Sequence, residues 1–282
     1  GAWLSPTGGH ADLHEVPLEW MHDLAASGGE LRQCDGSAAC AQATREQLRR
    51  NAKVVKVCAS GGVFSEVDHP IHQQFTTAEL ATIVEVAGMA ERVVAAHCHG
   101  KPGIMAALEA GVRTIEHGTY LDEECAVAMR EADAILVPTC SVLEAIRDMR
   151  LPEYAHRKGE EILVRHGEAV ALAIEQGVRI AAGSDVVFSS STDGFAWGAH
   201  GGEVALLGEA GLAPLAAIEA ATANGPLTLG PQAPRSGLLA AGYDADVITL
   251  DADPLTDLRV LADPAHVVDV WRAGQRYKGA DK

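Results

Sequence analysis

The chain has 282 residues, is 48% hydrophobic and carries a formal net charge of -17. That size and apolar content allow one large core with at most a small appended unit. The acidic balance argues against nucleic acid and anionic membranes as partners, and no apolar run nears the roughly 18 residues of a membrane span. The opening residues, "GAWLSPTGGHADLHEV", show no basic flank followed by an apolar stretch, so no signal peptide is read there. Of the six cysteines, Cys58, Cys98 and Cys140 fall in or at the ends of predicted strands. Cys34 and Cys40 lack the tight spacing and second pair of a zinc knuckle. All read as free thiols, and a reducing, cytoplasmic compartment is the expectation.

From about residue 40 the pattern alternates helix and strand with short connections, as parallel β/α units do. "AQATREQLRRN" is an amphipathic helix leading into the strand "KVVKVCASGG". "TTAELATIVEVAGMAER" is a helix opened by a Thr cap, with Glu79 placed for a capping box. The strand "VVAAHCHG" follows, then the helix "GIMAALEAG", which Gly111 ends. Next come the strand "VRTIEHG", the helix "LDEECAVAMREAD" and the strand "AILVPT". A long helical stretch, "EYAHRKGEEILVRHGEAVALAIEQG", precedes the strand "VRIAAGSD", and a helical pair runs through "GGEVALLGEAG" and "LAPLAAIEAATANGPLTLG". After Gly230, "SGLLAAGYDADVITLDADPL" and "VVDVWRAGQRYKG" alternate apolar and polar residues around turns, which is β-sheet of a smaller kind. Five parallel strands are clear, with a possible earlier one near "AWLSP"; a (β/α)8 barrel needs eight.

Twelve histidines is a high count, and several stand beside Gly, Asp or Pro. In "RVVAAHCHG" an apolar strand ends in two imidazoles; residues two apart on a strand point the same way, so His97 and His99 share a direction. Four strand ends carry a metal-competent residue: Lys56, His97, His117 and Asp185. Singly, each has a plain structural reading, since Lys56 can snorkel, His117 can cap a turn and Asp185 can begin a loop. Together they sit where a barrel brings distant strand ends onto one rim, and two imidazoles with a carboxylate are ligands that catalytic zinc accepts.

The succession "KVCASGG", "AHCHG", "IEHGT", "VPT", "AAGSD" and "AATANGPLTLG", closed by "GYDADVITLDADPL", resembles the amidohydrolase superfamily. It resembles in particular the imidazolonepropionase-related branch that contains Xaa-Pro dipeptidases (prolidase-like). The resemblance covers nearly the whole chain in order. It implies an α/β fold, a (β/α)8 TIM-type barrel over residues 1-230, with residues 231-282 contributing to a small β-sandwich. Lys56 matches a lysine that CO2 carboxylates into a carbamate bridging two divalent metals, zinc by expectation. Only a neutral amine attacks CO2, and burial lowers the lysine pKa from about 10.4. His97 and His117 match ligands of one metal. Asp185 matches an aspartate that binds the other and takes the proton of the bridging water, whose pKa the metal lowers to about 7. The implied substrate is a small molecule, a dipeptide or N-acyl amino acid cleaved at its C–N bond, and the implied assembly is a homo-oligomer.

His99 stands where this branch places a residue that hydrogen-bonds the substrate carbonyl; a supporting or merely exposed histidine is the alternative. His10, in "SPTGGHAD", matches a histidine near the substrate carboxylate, or is a solvated loop residue. Tyr120 and His200 are candidates for the mouth of the site, and His69 and His72 in "VDHPIHQQF" read as lid residues. The family's first strand carries His-x-His, and nothing before "SPTGGH" supplies it. The expectation is therefore an incomplete barrel, the first strands belonging to a longer protein or to another chain. Two other functions stay open: a cyclic-amide (imidazolone-type) hydrolase or deaminase, and a catalytically inactive barrel fragment that needs a partner chain.

Overall fold

A computed structural model describes residues 1-147, 149-186 and 196-279. In chain order the elements are β1 (Trp3–Ser5), α1 (Leu18–Ala26), β2 (Leu31–Gln33), α2 (Gly36–Arg49), β3 (Val54–Cys58), α3 (Thr77–Gly88), β4 (Val93–Cys98), α4 (Lys101–Ala110), β5 (Thr114–His117), α5 (Glu123–Glu131) and β6 (Ile135–Val137). They continue with α6 (Cys140–Ile146), α7 (Glu153–Glu175), β7 (Arg179–Ile180), α8 (Gly201–Glu209), α9 (Pro214–Ala221), β8 (Val247–Leu250), β9 (Val267–Arg272) and β10 (Gln275–Lys278). The chain divides into two compact units: Gly1–Val137 with Arg150–Arg179 and Thr228–Gln232, and Pro138–Met149 with Ile180–Leu227 and Ala233–Lys282.

The expected α/β architecture is borne out. Seven strands form one sheet in the order β2-β1-β3-β4-β5-β6-β7, and the neighbours from β2 to β6 pair in parallel. The predicted helices α2 to α5 lie between these strands, and the capping box at α3 is present: the Glu79 N–H donates to Thr76 Oγ1 at 3.3 Å and the Thr76 N–H to Glu79 Oε2 at 2.8 Å. Gly111 ends α4 at φ +90°. The sequence pattern does not mark α1 or β2. The strand expected over "VRIAAGSD" is shorter, limited to Arg179–Ile180.

Alternation across the sheet separates two environments. On one side Leu4, Val55, Val57, Val94, Ala96, Cys98, Ile115 and Leu136 join the core built with Leu80 and Ile83 of α3, Ile104 of α4 and Met129 of α5. The register aligns Lys56 with Ala95, Cys58 with His97 and His97 with Glu116. Partners in register share a side, so Lys56, His97, Thr114 and Glu116 all lie on the opposite, polar side. In the second unit β8, β9 and β10 form an antiparallel sheet in the order β10-β9-β8. There Glu203 of α8, 1% exposed, accepts hydrogen bonds from the backbone N–H of Cys140 and Ser141 and from Ser141 Oγ at 2.9, 2.8 and 2.6 Å, which fixes the start of α6.

The two-sided sheet makes its core side costly to empty. Ile115→Ala, at a fully buried position, is expected to lower stability by about 2–5 kcal/mol in denaturant unfolding. A loss under about 1 kcal/mol would contradict this packing.

Candidate metal centre

Three imidazoles meet where β4 and β5 end. His97 and His99 leave β4 on the same side, as the two-residue spacing requires; their ring centroids are 4.8 Å apart. His117 arrives differently. Its register partner is Cys98, which packs in the apolar core, so a regular strand would send His117 there too. Instead His117 has φ +71° and Gly118 follows at +66°. This left-handed turn brings the ring to the polar side, stacked on His99 with centroids 4.7 Å apart and planes at 11°. Few non-glycine residues adopt positive φ, and holding one there costs on the order of 1–3 kcal/mol. Thr139 and Asp185, beyond the ends of β6 and β7, also have positive φ, at 56° and 53°.

Hydrogen bonds set the proton positions. His97 Nε2 lies 3.1 Å from the Gly61 carbonyl oxygen. A carbonyl only accepts, so Nε2 carries the proton and Nδ1 is bare. That Nδ1 faces His117 Nε2 at 2.9 Å. His99 Nδ1 is 2.7 Å from Thr119 Oγ1, and the His99 backbone N–H donates to Ser60 Oγ at 2.8 Å. His10 stacks on His97, centroids 4.3 Å apart, with its Nδ1 2.9 Å from Ser65 Oγ. Ser65 gives its own proton to Asp68 Oδ1 at 2.5 Å, so it accepts from His10 Nδ1–H.

Burial holds His97, His99 and His117 well below the usual histidine range, and the neighbouring imidazoles and Lys56 add to the effect. His10 is pushed down to about 4, chiefly by burial, against the opposing pull of Asp68. With its Nδ1 proton given to Ser65, the neutral ring keeps a lone pair on Nε2.

These residues fit a divalent cation. Neutral imidazoles are the ligand form of histidine, and one nitrogen from each of His97, His99 and His117 lies within 4.8 Å of the others. Two nitrogens bound tetrahedrally to zinc at about 2.0–2.1 Å stand roughly 3.3 Å apart, close to the 2.9 Å between His97 and His117. The Gly61 carbonyl on the far nitrogen of His97 is the kind of partner that orients a ligating histidine.

The other anticipated residues divide by unit. Lys56 lies on the histidine side of the sheet, its Nζ 3.9 Å from Glu116 Oε2, and Thr114 Oγ1 donates to the other oxygen of Glu116. Glu116 does not stand out in the sequence as a site residue. The available signal was the alternation itself, which puts Glu116 rather than His117 beside His97. Tyr120 donates its hydroxyl to Glu161 at 2.8 Å, and its backbone N–H binds the His99 carbonyl at 2.9 Å. His69 and His72 are ring neighbours at 5.4 Å, with His69 Nε2 4.0 Å from Glu161. Asp185 and His200 belong to the second unit, where His200 Nδ1 lies 2.8 Å from Ser184 Oγ. Among the described residues no helix is long and apolar enough to cross a membrane.

Residues 5–277 match the amidohydrolase family, and the chain belongs to it. Ochratoxinase of Aspergillus niger is 41% identical over 298 residues, covering 99% of this chain and 59% of that protein. The chain thus spans about three fifths of the curated relative it matches. The crystal structure of A. niger ochratoxinase superposes with a TM-score of 0.88 over 99% of this chain and 65% of that one. A prolidase complexed with N-methylphosphonate-L-proline is 31% identical, with a TM-score of 0.88 over 99% of this chain and 68% of the other. An Xaa-Pro dipeptidase with methionine bound in its active site is 27% identical, with a TM-score of 0.85 over 99% of this chain and 67% of the other.

The Thr119 hydroxyl is the partner that completes the buried His99 ring. Thr119→Val is expected to destabilise the protein by about 1–3 kcal/mol, the cost of leaving a buried polar nitrogen unmatched. Urea unfolding of the two proteins measures it, and equal midpoints would remove this bond from the site.

Proposed function

We propose that this protein is a metal-dependent amidohydrolase that cleaves the C–N bond of a dipeptide or N-acyl amino acid. The observation that carries the proposal is the set of buried, neutral imidazoles, with the proton of His97 committed to Gly61 and its Nδ1 turned toward His117. The family match and the likeness to ochratoxinase and prolidases support an amide as the substrate class.

In this reading His97 and His117 hold a divalent cation, zinc by preference. When bound, such an ion makes a coordinated water acidic near neutrality and polarises the substrate carbonyl. Lys56 contributes after its neutral amine attacks CO2: a C–N bond forms, one proton leaves, and two carbamate oxygens become available as donors. Asp185 is assigned the proton transfers, taking one from water and delivering it to the leaving nitrogen. Its support is the family resemblance and its place five residues past β7. His99 hydrogen-bonds the carbonyl oxygen as charge develops. That role needs the proton on Nε2, with Nδ1 accepting from Thr119; the opposite tautomer would make His99 a third nitrogen ligand. His10, Tyr120 and His200 are assigned to substrate binding. The family resemblance also implies a second cation, for which Lys56 and Asp185 would be candidate donors.

Metal analysis of the purified full-length protein, paired with a panel of Xaa-Pro dipeptides and N-acyl amino acids, tests the proposal. One to two zinc ions per chain are expected, with hydrolysis that chelation abolishes and zinc restores. Absence of metal at every pH between 6 and 8, with no turnover, would refute it. Lys56→Ala is expected to abolish activity and to be partly rescued by short carboxylic acids, whereas undiminished turnover would remove the lysine from the mechanism. His99→Phe should lower kcat about ten- to a thousandfold, as loss of one carbonyl-oxygen donor does.

A further inference from the structure

One face of α7 reaches into the loop that roofs the histidines. Tyr154, Lys158 and Glu161 recur at helical spacing on that face, and each is tied to a different part of the surroundings. Tyr154 donates its hydroxyl to the Phe64 carbonyl at 3.2 Å, and Glu161 accepts from the Tyr120 hydroxyl. Lys158 sits between them and is 7% exposed. Its ammonium donates to the carbonyls of Gly62 at 3.3 Å, Ser65 at 2.6 Å and Asp68 at 2.5 Å, and lies 3.4 Å from Asp68 Oδ1.

Those carbonyls belong to the loop between β3 and α3, whose base is closed by the Gly61 N–H on the His72 carbonyl at 3.1 Å. Asp68 also gathers it, accepting from Ser65 Oγ, the Gly62 N–H and Gln74 Nε2. The resulting curl is tight. A Cβ on Gly61 would stand 2.3 Å from the His69 carbonyl oxygen, and one on Gly62 would fall 2.1 Å from the His10 ring. The same loop supplies the Gly61 carbonyl on His97 Nε2, and its Ser65 anchors His10, which comes from the segment after β1 and stacks on the His97 ring. A buried ammonium is tolerated only when its donors are satisfied, and here four acceptors converge on it.

We propose that Lys158 is a positioning residue: by gathering the Gly62, Ser65 and Asp68 carbonyls it sets the course of loop 61-72, and through Gly61 and His10 it fixes the tautomer and orientation of His97. The consequence for metal affinity rests on the function proposed above; the positioning itself does not.

The test compares the full-length wild type with Lys158→Met, which keeps the chain length and removes the charge. Hydrogen–deuterium exchange of residues 61-72 and the nitrogen NMR tautomer pattern of His97 are read on metal-free protein. Zinc affinity is read by chelator competition. The expected result is at least tenfold faster exchange in the loop with β3, β4 and β5 unchanged, a mixture of His97 tautomers in place of Nε2–H alone, and zinc bound ten- to a hundredfold more weakly, as when a ligating histidine loses its orienting partner. Loop exchange or a tautomer pattern equal to wild type in folded Lys158→Met would overturn the proposal, as would unchanged zinc affinity in a zinc-binding wild type. If the wild type binds no zinc, the metal reading fails, and exchange and tautomer still decide on Lys158. Should Lys158→Met not fold, Lys158→Arg carries the same readouts. Its planar fork cannot converge on three carbonyls, so at least threefold faster loop exchange is expected, and wild-type values in both metal-free readouts would overturn the proposal.

Discussion

The site depends on one hydrogen bond, from His97 Nε2 to the Gly61 carbonyl. It uses the only N–H proton of a neutral imidazole and leaves Nδ1 with a lone pair facing His117 Nε2. Without it the ring could flip or exchange tautomers, and the facing nitrogens of His97 and His117 would lose their defined relation. Burial makes the bond stronger and makes its absence more costly, because a lone imidazole N–H has no water to turn to.

The surroundings can be understood as support for that bond. A parallel sheet with a hydrocarbon side and a polar side supplies a rigid base, and the register carries Lys56, His97 and Glu116 into one row. The row lacks a second imidazole from β5, because alternation has put Glu116 in that place. Two consecutive left-handed residues, His117 and Gly118, turn the chain so that the next side chain joins the same side. Glu116 and His117, adjacent in sequence, therefore both serve the polar side. The strain of that turn is held by the Gly118 N–H, which donates to the Cys98 and Glu116 carbonyls, both at 3.0 Å.

Much of this was legible in the sequence, and the exceptions have physical reasons. The helices α2 to α5 and strands β3 to β6 carry clear periodicity, caps and stops, and the shared direction of His97 and His99 follows from a period of two. The three-residue strand β2 is too short to display alternation, and α1 starts behind Pro17 with no side-chain cap. The sequence marks His117 as a strand-end residue, but the turn that makes it useful is a backbone angle that "IEHG" does not spell out. Lys158 was invisible for another reason. Its partners are chiefly backbone carbonyls, which every residue has, and within a helix of alternating charges nothing marks one lysine as buried.

The donors proposed for the cation, the imidazole nitrogens of His97 and His117 and the carbamate oxygens of Lys56, include no thiolate. Such a set ranks the first-row divalent ions by the Irving–Williams order, with copper above both nickel and zinc. Under the proposed function, which ion the folded protein carries is then decided by metal supply and by the order of encounter during synthesis as much as by intrinsic preference. Recombinant material from cells grown on different trace-element mixtures would differ in its resident ion while keeping the same polypeptide conformation.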